Sequence, residues 1–144
     1  MTDTLSAEQR SALMARIRGR DTKPELTVRR LLHALGYRFR IQARGLPGRP
    51  DVALTRRRKA VFVHGCFWHQ HEGCRAAQVP KTRVDFWTEK FARNRRRDAA
   101  ALEALEALGW SALVVWECEL RRPQDLALRL QGFLGPTAIG RRGG

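Results

Sequence analysis

The chain has 144 residues, 43% of them hydrophobic, with 28 Lys and Arg against 14 Asp and Glu for a formal net charge of +14. This composition excludes a disordered polyelectrolyte and suits one domain, and the chain has no long apolar run to span a membrane. The basic excess, mostly arginine, points to a polyanionic partner, nucleic acid before an anionic membrane, because a guanidinium fork matches phosphate oxygens.

The start, Met1-Thr2-Asp3-Thr4, lacks the basic-then-apolar pattern of a secretory signal, so a cytoplasmic protein is expected. In that compartment the three cysteines are expected to bind metal or stay reduced rather than form disulfides. Ser6 with Gln9 is a capping-box signature, and Leu13 with Ile17 predicts a helix over residues 7–18. Arg10, Arg16, Arg18 and Arg20 on that N-terminal segment, residues 1–20, would suit it to clamp a phosphate backbone. Thr22 with Glu25, and Pro24 in the first turn, start a second helix over 23–35, with Val28, Leu31, Leu32 and Leu35 on one face and Gly36 as its stop. Tyr37, Phe39 and Ile41 alternate with polar residues and predict a half-exposed strand.

Residues 43–50 read as a turn-rich loop, followed by a hairpin of strands 51–54 and 60–63 around the basic turn at 55–59. An antiparallel hairpin sets the start of its first strand beside the end of its second, so Asp51 is expected near Val63 and His64. The stretch Val61 to Cys74 then holds three of the chain's four histidines and two of its three cysteines. Beyond it, Asp85 is expected to cap a long helix to Leu108 with Gly109 as its stop, loaded with Arg93, Arg95, Arg96 and Arg97. Residues 110–117 read as a buried strand ending at Cys118, and Pro123 to Leu134 as the last helix. The order ααβββαβα implies a mixed β-sheet flanked by helices in one domain over 1–134, with residues 135–144 as a mobile tail.

Cys66, His71, Cys74 and Cys118 make a Cys3His set, a standard tetrahedral zinc combination, with His69 as a competing nitrogen. Residues 65–83 have few apolar side chains, so a structural metal would replace the missing core. The Asp51 carboxylate, the Val63 carbonyl and phosphate oxygens are hard ligands suited to Mg²⁺, and nearby histidines could take a proton from attacking water.

The segments Leu46-Pro47-Gly48-Arg49-Pro50-Asp51 and His64-Gly65-Cys66-Phe67-Trp68-His69 resemble the Vsr family of very-short-patch-repair DNA mismatch endonucleases. Pro80, Thr82-Arg83, Phe86-Trp87, Glu89-Lys90 and the run from Gly109-Trp110 to Cys118 extend the resemblance over residues 10–122. It implies a fold of the restriction-endonuclease type and a Mg²⁺-dependent, strand-specific cut 5′ to the thymine of T·G mismatches left by 5-methylcytosine deamination. It further implies Asp51 and the Val63 carbonyl as Mg²⁺ ligands, His69 as general base and His64 at the phosphate. Glu25 would orient water, and Asp98 would support His69. Phe67, Trp68 and Trp87 match an aromatic wedge that enters the DNA stack, and Lys90 a polar position facing DNA. The zinc ligands of the family coincide with Cys66, His71, Cys74 and Cys118.

The expected partner is double-stranded DNA with a T·G mismatch, bound by a monomer, with mismatch-repair proteins as candidate helpers. Three departures from the family stand out: Val63 replaces a common threonine, Gln70 a frequent histidine, and Glu72-Gly73 lengthens the step to Cys74. They keep a non-catalytic DNA-binding module as the second hypothesis, with a general nuclease and an inert zinc-stabilised basic domain behind it.

Overall fold

Three helices and a four-stranded sheet make up the computed structural model, which describes residues 22–137. The expected N-terminal helix, and residues 138–144 of the expected tail, lie outside the described residues. Helix α1 spans Lys23–Ala34, strands β1, β2 and β3 span Arg40–Ile41, Val52–Leu54 and Lys59–His64, and α2 spans Val84–Ala107. Strand β4, Ser111–Trp116, and helix α3, Pro123–Leu134, complete the order. The sheet runs β1-β2-β3-β4, with antiparallel pairing up to β3 and a parallel β3–β4 pair crossed over by α2. The α/β architecture expected from the order of elements is present. Among the described residues no helix is long and apolar enough to cross a membrane.

The alternation of each strand splits the interior in two. Val52, Leu54, Val61 and Val115 face Val28 and Leu32 of α1 and Leu126, Leu130 and Leu134 of α3. Ala60 and Phe62 face the other way, onto Leu105 of α2 with Leu102 packed beside it. Helices α1 and α3 therefore cover one face of the sheet and α2 the other, which leaves the end of β3 open between α1 and α2. Arg57 fastens the end of α3 by donating to the Leu134 and Pro136 carbonyls at 2.7 and 2.8 Å, and the Tyr37 hydroxyl donates to the Gly135 carbonyl. The first residues of the expected mobile tail are thus tied down.

Three expected boundaries move. Asp85 does not cap α2: the N-cap is Arg83, in the left-handed region at φ 53°, and Asp85 sits in the first turn, where a carboxylate still suits the helix dipole. Arg83 instead lays its guanidinium over the Phe86 ring at 4.3 Å. The strand expected over 37–41 shrinks to Arg40–Ile41, an edge pair with Ala53 and Val52, because Tyr37 is drawn into the core by its bond to Gly135 and Ile41 is left 47% exposed. The strand expected to run from 110 to 117 stops at Trp116. Glu117 and Cys118 enter a 3₁₀ turn, Glu117–Arg121, in which Glu119 accepts the Trp116 N–H at 2.9 Å and an ion pair from Arg129 of α3.

Gly48 sets how closely the loop before Asp51 approaches the second core. Its φ is +75°, and a Cβ there would lie 2.6 Å from the Ala101 Cβ of α2 and 3.2 Å from the Phe62 ring. Gly45, in the same loop, has nothing within 4 Å. Gly48→Ala is therefore expected to lower stability by roughly 1–3 kcal/mol, from overpacking and backbone strain together. Gly45→Ala should stay within about 0.5 kcal/mol of the parent. Urea unfolding of the two variants checks this, and equal midpoints would contradict it.

Candidate active site and cysteine–histidine cluster

The open end of β3 is the floor of a cleft of about 1030 Å³. Asp51, Val63, His64, Trp68, His69 and Glu25 line it together with Lys90, Asn94 and Asp98 of α2. The hairpin does what its register requires: the Val63 N–H donates to Asp51 Oδ2 at 2.6 Å. A strand residue presents its N–H and C=O on one edge, so the Val63 carbonyl lies on the edge that faces Asp51. The Val63 side chain packs onto the core shared with α1 and α3. That core contact accommodates valine where the family often has threonine.

Glu25 forms the expected capping box: Thr22 N–H donates to Glu25 Oε2 at 3.1 Å, and Glu25 N–H to Thr22 Oγ1 at 3.4 Å. It is only 6% exposed, stands 3.6 Å from the Arg29 guanidinium, and reaches Asp51 across a side-chain hydrogen bond. One carboxylate thus serves both the cap and the cleft. Burial, with Glu25 alongside, pushes the Asp51 carboxyl up to about 8, against the opposing effects of the Val63 N–H and Arg29. Two neighbouring carboxyls beside a main-chain carbonyl offer oxygen donors of the kind that Mg²⁺ requires.

Opposite them the rings of His64 and His69 stack at 3.8 Å and 7°. His69 Nδ1 is 2.7 Å from Asp98 Oδ2. Donors on His64, His69 and Asp98 lie close enough to suggest a metal, yet parallel stacked rings aim their in-plane lone pairs side by side. They do not converge on one ion, and a carboxylate-oriented imidazole pair fits better. Burial and the His69 ring push His64 down to about 4, so it is neutral at physiological pH.

Residues 65–71 fold into tight turns, with His69 N–H bonded to the Gly65 carbonyl at 3.1 Å and His71 N–H to the Cys66 carbonyl at 2.9 Å. These turns bring Cys66, His71 and Cys74 together, and β4 delivers Cys118, so that all four donor atoms lie within 4.8 Å of one another. His71 Nδ1 is 3.5 Å from Cys118 Sγ and 3.7 Å from Cys66 Sγ. A tetrahedron with ordinary Zn–S and Zn–N bonds has N···S edges of about 3.6 Å, so the donor set fits zinc in both chemistry and spacing. Of the two competing nitrogens, His71 joins the sulfurs and His69 turns to Asp98. Gln70 enters neither group. It is buried at φ 49° and donates its Nε2 to the Phe67 carbonyl at 2.7 Å.

The aromatic residues gather at the cleft's rim around buried Phe91, whose ring centroid is 5.2 Å from Phe67 and 5.7 Å from Trp87. Phe67 and Trp68 meet edge to face at 5.1 Å, and Lys90 Nζ lies 5.7 Å from the Trp68 ring. Phe67, Trp68 and Trp87 are half-buried, rooted in the protein with part of each ring still accessible. Sequence reasoning missed Asn94 and Arg95. Asn94 Nδ2 donates to the Trp68 carbonyl at 3.1 Å and Arg95 Nη2 to the Gln70 carbonyl at 3.5 Å. With Asp98 on His69, one helix holds three consecutive loop residues. Their spacing of i, i+1 and i+4 on α2 was visible, but nothing in it revealed which face meets the loop.

A family model described as DNA mismatch endonuclease Vsr matches residues 2–75. The type II nicking enzyme V.XorIIP of Xanthomonas oryzae pv. oryzae is 50% identical over 137 residues, 95% of this chain and all of the relative. The DNA mismatch endonuclease Vsr of Escherichia coli is 44% identical over 126 residues, covering 88% of this chain and 80% of the relative. The type II nicking enzyme V.NmeAIP of Neisseria meningitidis is 41% identical over 121 residues, covering 84% and 86%. With the family model matching half of the chain and relatives aligned over most of their lengths, the chain belongs to the Vsr family of DNA mismatch endonucleases.

Proposed function

We propose that the protein is a Mg²⁺-dependent endodeoxyribonuclease that nicks double-stranded DNA 5′ to the thymine of a T·G mismatch, on a scaffold of the restriction-endonuclease type. The observation that carries this reading is the meeting, in one cleft, of the Asp51–Glu25 carboxyl pair with the His64–His69–Asp98 group. Family membership and the basic charge supply DNA as the substrate.

In this reading Asp51 and the Val63 carbonyl would hold Mg²⁺, which would supply Lewis-acid polarisation of the scissile phosphate, with Glu25 orienting water beside them. The Asp98 carboxylate accepts from His69 Nδ1–H, which leaves Nε2 as the acceptor of a proton from the attacking water. His64, neutral and stacked on His69, holds the ring in place and offers a hydrogen bond to the phosphate. Phe67, Trp68 and Trp87 enter the base stack, with Lys90 facing the DNA at the same rim. Unstacking a step costs a few kcal/mol and least at a weak pair, so the wedge favours a mismatch over paired DNA. The Cys66–His71–Cys74–Cys118 set holds zinc in a structural role, since four protein donors leave no open position.

A duplex with one T·G pair is expected to be nicked on the thymine strand with Mg²⁺, while Asp51→Asn and His69→Ala each lose at least about 100-fold in rate. Equal nicking of a T·A control in a single-turnover gel assay would reduce the protein to a general nuclease. Mismatch binding without any nick would favour the non-catalytic module.

The raised Asp51 carboxyl gives a second expectation. Its folded pKa near 8 exceeds the unfolded value of 3.8, so the metal-free fold holds a proton that a cation must displace. The proton favours the metal-free fold at low pH, and that advantage fades as pH rises through about 8. Mg²⁺ affinity should therefore rise by about tenfold per pH unit between pH 6 and 8 and level off above. Calorimetric titration at several pH values checks this; a flat affinity would contradict the raised Asp51 carboxyl.

A further inference from the structure

Trp116 has no role in the reading above, and it stands between the two groups of donors. It ends β4 as the register partner of His64 on β3. Its indole stacks on the zinc-set imidazole of His71 at 4.1 Å and 8°. The same ring meets His64 edge to face at 5.3 Å and 80°, and His69 at 6.5 Å and 73°. Its bulk fills neither hydrophobic core, and it remains half-exposed. Its backbone is nonetheless held on both sides: β3 pairs with it, and its N–H donates to Glu119, which Arg129 of α3 grips with Nη1.

We infer that Trp116 is a positioning residue, a rigid aromatic spacer through which the ordered Cys3His cluster fixes the His64–His69 pair against the scissile phosphate. The inference rests on the endonuclease reading for its catalytic half only. An indole is flat and stiff, with just two side-chain torsions, and it meets His71 face to face and His64 at a steep angle. When His71 is held by the sulfurs, the indole has a fixed wall behind it, and the His64 ring has a fixed neighbour at its side. When His71 is released, the wall is lost and both catalytic rings gain freedom. A displacement of about 1 Å at a reacting group can cost on the order of 100-fold in rate, so so small a part can matter.

The test uses the full-length, zinc-loaded chain and the variants Trp116→Phe and Trp116→Ala, with Trp116→Leu in place of alanine should that protein not fold. Three quantities are read on each: zinc per chain, kcat and KM on a T·G duplex with Mg²⁺, and the ring-proton NMR signals of His64 and His69. The expected result for alanine or leucine is a kcat lower by roughly 10–100-fold with KM within about threefold, zinc retained, and histidine signals broadened or multiplied. Phenylalanine, which keeps a ring face, should recover most of kcat and a single set of signals. Removing zinc from the parent chain should disturb the same two histidines. Unchanged histidine signals in the alanine or leucine protein would overturn the inference, as would a phenylalanine variant no better than they are, or activity lost only in step with zinc. If the parent nicks no duplex at all, the endonuclease reading fails, and the NMR comparison still decides whether Trp116 orders the two rings.

Discussion

A loop without a core must be cross-linked to hold a shape, and this requirement governs the molecule. Ordering a residue's backbone costs about 1–2 kcal/mol, so the nine or so residues from Cys66 to Cys74 demand roughly 9–18 kcal/mol. Within them Cys66 and Gln70 are buried, and Phe67 and Trp68 pack toward Phe91 and Trp87, so apolar contact supports only the α2 side of the segment. Zinc bound by these four donors would contribute about 10–16 kcal/mol, which is the right scale. Cys118 matters most among the four donors, because it alone of them lies outside the loop.

The second fixed point is α2. Asn94, Arg95 and Asp98 hold Trp68, Gln70 and His69, so the loop is stretched between a cluster at the end of β4 and a helix on the far side of the cleft. The chain order then has a mechanical consequence. The aromatic rings at 67 and 68 and the imidazole at 69 are adjacent residues on one clamped segment, and what shifts the rings shifts the imidazole. The carboxyl pair stands on other elements, Glu25 on α1 and Asp51 before β2, and meets the imidazoles only because α1 and α2 cover opposite faces of the sheet. A cleft at the open end of β3 is the geometric result.

Much of this was legible in the residues. The hairpin register alone placed Asp51 beside Val63, since antiparallel pairing leaves no other choice, and the Thr22–Glu25 box and the Pro123–Leu134 helix appear as read. The Cys3His set was legible because a loop with few apolar residues and only three cysteines in the chain leaves few combinations. What failed was local pattern where tertiary contacts won. Asp85 looks like a cap, but Arg83 takes that place by stacking on Phe86. Tyr37, Phe39 and Ile41 alternate like a strand, but the Tyr37 bond to Gly135 shortens it. Asn94, Arg95 and Trp116 were unreadable for a different reason: their partners are 25 to 52 residues away and on other elements. No spacing rule reaches that far.

The claim on which the rest depends is that Cys66, His71, Cys74 and Cys118 close around one zinc ion and thereby order the loop that carries His69 and the wedge. X-ray absorption at the zinc edge of the purified full-length protein tests it most directly. The account predicts about one zinc per chain, with three sulfurs at about 2.3 Å and one nitrogen at about 2.0–2.1 Å. A shell of oxygen and nitrogen only, or a folded protein that carries no zinc, would contradict it.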